Sequence, residues 1–233
     1  MPELADGLIY YFVFLFSTTL HEAAHAWTAK RGGDLTAYTG GQVSLSPVPH
    51  IRREPIGMVV LPLLSVVLMG WPIGFASAPY NPEWALRHPR RAAVMALAGP
   101  AANFLLVLLA AMALRVGVAA GVMSAPPSVT FGHVAVALGG GLWPALAFLL
   151  GVFFSMNLLL AVFNLLPIPP LDGSGAVPLW LSDNAARRYQ EFLWTTPGLG
   201  WLGLFVAWKA FDYVFDPMFL GAVNLLYPGV AYQ

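Results

Sequence analysis

The sequence predicts an all-α, polytopic membrane protein, and three features carry that prediction. Of 233 residues, 58% are hydrophobic and only 9% charged, the mean hydropathy is +0.71, and the apolar residues gather into long runs. A soluble domain carries about 25% charged residues, so a chain offering so little to water needs lipid as its solvent. The 11 Lys and Arg cancel the 11 Asp and Glu. No basic surface is left to displace DNA counterions, and nucleic acid is not an expected partner. With no cysteine, disulfides, thiolate nucleophiles and sulfur-ligated zinc are excluded, and any metal must be held by imidazole and carboxylate.

Apolar runs occupy 8–29, 56–75, 92–120, 134–166, 199–215 and 217–227. They give about five to six membrane segments, although a spanning helix needs roughly 20 apolar residues and only the first, third and fourth runs are clearly long enough. Glu3 and Asp6 precede the first run, where a cleaved secretory signal would carry Lys or Arg, so that run is expected to be retained. No repeat and no appended soluble domain is legible, and 1–233 is read as one integral-membrane domain with C-terminal membrane segments at about 199–227.

Lys and Arg set the orientation. Lys30, Arg31, Arg52 and Arg53 lie in the first connector, Arg87, Arg90 and Arg91 in the second, and Arg187 and Arg188 near 167–198, which places all three connectors on the cytoplasmic side. The 121–133 connector has no charged residue and is assigned outside. Both ends of the 56–75 run are then inside. A helix over Ile56–Gly70 is only about 22 Å long against a core of about 30 Å, and the Pro- and Gly-rich stretch after it cannot continue a helix. Residues 56–81 are therefore expected to be re-entrant, a helix followed by an extended return. A short span that breaks the charge rule is the alternative.

His21-Glu22-Ala23-Ala24-His25 closes the first apolar run. On a helix, residues four apart share a face, so both imidazoles can reach one metal while Glu22, one step round, can take a proton from a water there. Two His and a Glu in an apolar helix are costly to bury unless paired or metal-bound. A catalytic zinc wants a third protein ligand, and the candidates are Asp34, His50, Glu54, Glu83, His88, His133 and Asp172. Only Asp172 directly follows a long apolar run, in Asn164-Leu165-Leu166-Pro167-Ile168-Pro169-Pro170-Leu171-Asp172-Gly173. Alone, Asp-Gly reads as a turn. With 56–81 re-entrant, Asp172 reaches the same side of the bilayer as His21 and His25.

Asn164 sits about two turns before Asp172, and its amide needs a partner, either a substrate carbonyl or a neighbouring helix. Gly41–Ser46 alternates polar and apolar residues and reads either as a short β element near the site or as a surface connector. Phe75–Tyr80 is a second extended candidate, and either strand could pair with an extended substrate. His50 and His88, set among arginines, are expected to face headgroups, and Lys209 with Asp212 to form a local pair.

The sequence resembles the site-2 protease family of intramembrane zinc metalloproteases. The resemblance rests on His21-Glu22-x-x-His25, then Ala98-Gly99-Pro100-x-x-Asn103, then Asn164-x-x-Pro167-x-x-Pro170-Leu171-Asp172-Gly173, in that order. It implies a catalytic core over about 8–175 that hydrolyses peptide bonds of membrane-embedded substrates. It also implies one zinc per chain on His21, His25 and Asp172, Glu22 as the acid and base, and Asn164 assisting at the carbonyl. No PDZ or CBS domain accompanies the core. The expected setting is a prokaryotic cell membrane with the site towards the cytoplasm, and the expected partners are lipid and a membrane-spanning protein substrate. The rivals are a metal-ion or proton transporter and an inactive relative that binds membrane proteins. Transporters tend to repeat their halves, whereas this charged constellation occurs once, and an intact Glu22 argues against inactivity.

Overall fold

The computed structural model describes residues 4–233. The fold is mostly helical. The first apolar run forms α1 (Leu4–Gly32), with Asp6 in its first turn and Lys30 and Arg31 in its last, both favourable to the helix dipole. Two short helices follow, α2 (Thr36–Thr39) and α3 (Val48–Arg53). Between them, 41–46 forms bends and no strand. Local bonds win there: Ser46 N–H donates to Ser44 Oγ and Val48 N–H to Ser46 Oγ, so the hydroxyls satisfy backbone groups that a ladder would need. His50 is buried, its ring bonded to Ser44 O at 3.0 Å, and so does not face headgroups.

One π-helical turn, Ile56–Val60, leads into α4 (Leu61–Met69). Beyond Gly70 the chain runs without helix or ladder to Asn81 and doubles back, so that Phe75 N–H donates to Gly57 O at 3.0 Å. The lengths agree: about 20 Å climbed by the helix at 1.5 Å per residue is descended by about six extended residues. A Cβ on Gly57 would strike Phe75, so the close approach needs glycine there. The returning arm is pinned beside the start of the hairpin, where Ser77 Oγ donates to Glu54 Oε1 at 2.6 Å and Gln42 Nε2 donates to Ser77 O at 3.1 Å.

Asn81 then caps α5 (Pro82–Arg87) by accepting from Glu83 N–H and Trp84 N–H. Next comes α6 (Pro89–Ala119), the central helix, which packs along α1 on one side and α7 (Trp143–Leu165) on the other. Between α6 and α7, β1 (Met123–Ser124) pairs antiparallel with β2 (Val136–Ala137). This is the only ladder among the described residues. It joins α6 about 30 Å from Gly99, at the far end of the bundle, and is not the short β element read at Gly41–Ser46.

After α7, α8 (Asp172–Ala176) and a 3-10 turn (Val177–Trp180) lead to the amphipathic α9 (Asp183–Thr195), capped by Ser182. The two C-terminal runs form one helix, α10 (Leu199–Leu226), which carries Pro217 inside it. Pro217 lacks an N–H, but the neighbouring turns hold the helix together. Lys209 and Asp212 are exposed and form no ion pair among the described residues.

Helices α6 and α7 are long and apolar enough to cross a membrane. Their inner faces, with Phe215 and Val223 of α10, build the main core around Val107, Leu114, Phe154 and Leu158. Leu105, Leu108, Met112 and Val116 of α6 and Val67 and Leu68 of α4 point outward, the arrangement of a bundle whose solvent is lipid.

Candidate metal centre

Helices α1 and α6 run antiparallel, and a four-residue spacing on each brings matching groups together. On α1, His21 and His25 share a face; on α6, Met95, Gly99 and Asn103 share another. His25 Nδ1 bonds to Met95 O at 2.7 Å, and His21 Nδ1 to Asn103 Oδ1 at 2.6 Å. Asn103 is oriented in turn, since its Nδ2 donates to Asn157 Oδ1 at 2.9 Å and Asn157 Nδ2 donates to Phe153 O at 2.8 Å. Each imidazole therefore donates through Nδ1 and keeps a lone pair on Nε2.

Those lone pairs converge. The two Nε2 atoms are 2.9 Å apart, and Asp172 Oδ2, the first residue of α8, stands 3.0 Å from His21 Nε2 and 3.3 Å from His25 Nε2. Asp172 Oδ2 is buried with no hydrogen-bond donor. Three acceptors pointed at one another repel unless a cation lies among them, and with metal–ligand bonds of about 2.0–2.1 Å a tetrahedral ion sets its ligands about 3.3 Å apart. The three side chains can hold a metal ion, and this donor set fits zinc. Gly99 completes the cradle, since a Cβ there would run into both Nε2 atoms.

Glu22, almost fully buried, lines a cavity of about 380 Å³ together with His25 and Asp172. Other walls come from the extended arm at Ala76–Ala78 and Tyr80, from Met95 and Ala96 of α6, and from Tyr189 and Gln190 of α9. Tyr189 donates to Ser174 O at 3.0 Å, and burial raises its phenol above the usual tyrosine range.

The structure thus brings His21, Glu22, His25 and Asp172 together. Asn164 does not line this cavity; its Nδ2 bonds back to Leu160 O at 2.9 Å. The remaining ligand candidates are occupied elsewhere where bonds are seen: Asp34 accepts from Thr36 and Asn81, Glu54 from Ser77, and His133 meets Thr130. The sequence reading gave no role to Asn157 or Gln190. The legible signal for Asn157 was a lone amide deep in an apolar run.

The model of peptidase family M50 matches residues 9–198, and the chain belongs to that family, the site-2 protease family, whose members are membrane proteases. Among similar proteins, "Putative zinc metalloprotease YwhC" of Bacillus subtilis is 34% identical over 176 residues, covering 74% of this chain and 66% of that one. "Putative zinc metalloprotease Rip2" of Mycolicibacterium smegmatis is 34% identical over 174 residues, 75% of this chain and 58% of the relative. The protein of the same name from Mycobacterium tuberculosis gives 34% over 175 residues, again 75% and 58%. The chain thus spans somewhat under two thirds of the length of these curated relatives. No solved structure matches it.

Proposed function

We propose that the chain is an intramembrane zinc metalloprotease that hydrolyses peptide bonds of membrane-spanning substrates, with its site towards the cytoplasm. The observation that carries this reading is the convergence of His21 Nε2, His25 Nε2 and Asp172 Oδ2 beside Glu22 at the wall of a cavity. His21, His25 and Asp172 would hold one zinc ion, which when bound supplies Lewis acidity and brings the pKa of water towards about 7. Glu22 takes the proton of the attacking water on its carboxylate and returns it to the leaving amine nitrogen. The extended arm from Ala76 to Tyr80 lays the substrate out as an added strand, exposing carbonyls that a helix would hide.

The test is Glu22→Gln in full-length protein reconstituted into vesicles with a single-span substrate. Metal content should stay at one zinc per chain while cleavage disappears. Cleavage near the wild-type rate would move the proton carrier elsewhere. Substrate-independent metal flux lost with Glu22→Gln would favour a transporter.

A further inference from the structure

Helix α9 turns one stripe inward, with Ala186 and Gln190 buried and Tyr189 and Leu193 partly buried, and turns Arg187, Arg188 and Glu191 outward. A buried stripe on an amphipathic helix calls for apolar residues. Gln190 breaks the pattern: it is only 6% exposed, and its Oε1 is buried without any hydrogen-bond partner. Such an atom is costly in a folded protein unless something else is meant to satisfy it. Gln190 lines the cavity that also holds Glu22, His25 and Asp172. A primary amide offers the same two groups as a peptide bond, one carbonyl and N–H donors.

We propose that Gln190 hydrogen-bonds the backbone of an extended peptide in this cavity, acting as a surrogate strand on the edge that Ala76–Tyr80 leaves free. The choice of an extended peptide as ligand rests on the proteolytic reading above. A strand-like chain has two polar edges, and the returning arm can satisfy only one of them. The other edge has no strand to pair with, so a buried amide with an unused acceptor complements it. The substrate side chains are not read by this contact, which makes Gln190 a determinant of extended conformation rather than of sequence.

The experiment measures binding of a fluorescein-labelled dodecapeptide of Ala, Leu and Val by full-length, zinc-loaded protein carrying Glu22→Gln, with and without Gln190→Met. The expected result is about ten-fold weaker binding with Gln190→Met, the loss of one paired hydrogen bond, while Tm holds or rises because an unpaired buried group has gone. The same peptide N-methylated at alternate residues should lose the difference between the two forms. Equal affinity with and without Gln190→Met overturns the proposal, as does absence of binding by both. A fall in both Tm and affinity assigns the amide to structure and overturns it too. Gln190-dependent binding by a chain whose wild type hydrolyses no membrane substrate would sink the proteolytic reading while leaving this inference standing.

Discussion

Asn103 Oδ1 accepts the Nδ1 hydrogen of His21 at 2.6 Å across 82 residues of sequence. The bond fixes the tautomer of the imidazole, and Asn157 fixes the orientation of Asn103. Three helices thereby aim a single lone pair.

Asn103→Leu should weaken zinc binding by about 10–100-fold, the usual cost of losing a partner behind a ligand histidine, without unfolding the bundle. Asn103→Asp keeps the acceptor and should retain affinity within a few-fold. Chelator competition on purified protein measures both, and an unchanged affinity in the leucine variant would leave the bond without a role at the metal.

Gly99→Ala places a methyl group where both Nε2 atoms lie. It should abolish stoichiometric zinc while helix content by circular dichroism stays within error. One zinc per chain in the purified variant would contradict the cradle.

His21→Ala, His25→Ala and Asp172→Ala are each expected to strip the metal and reduce cleavage to background, because two remaining ligands make too weak a site. Asp172→Ala with full zinc occupancy would remove Asp172 from the ligand set.

The hairpin over 56–81 predicts that Arg53 and Arg87 face one side of the membrane and Ser128 the other. In a chain without native cysteine, Arg53→Cys, Arg87→Cys and Ser128→Cys can each be probed with an impermeant thiol reagent in intact cells. Only Ser128→Cys should react from outside. Outside labelling of Arg87→Cys would mean that the 56–75 run crosses fully.

What could be read in advance was periodic or compositional. The i, i+4 histidines share a face by helix geometry alone, and the three prolines before Asp172 end α7 whatever surrounds them. The hairpin was legible because Gly70–Pro79 forbids helix and 14 helical residues are too few to span. The rest depended on tertiary partners. The alternation at 41–46 failed as a strand because Ser44 and Ser46 capture nearby N–H groups. Asn164 is drawn to its own helix, a local bond that spacing cannot distinguish from a contact with substrate. Nothing in the pattern around Gln190 signals a role, and only its burial shows that an amide occupies the inward face of α9.

Asp172 follows His25 by 147 positions, yet the two side chains meet at 3.3 Å. An ion shared between them ties the first helix to the segment beyond α7, and neither end can swing away while that tie holds. The local opening that precedes proteolytic nicking would then have to break coordination as well as packing. This chain has no sulfur cross-link to do that work, and a bound ion would be a tether that can be withdrawn and restored. A chelator would then act on it as a reductant acts on a disulfide-bonded protein.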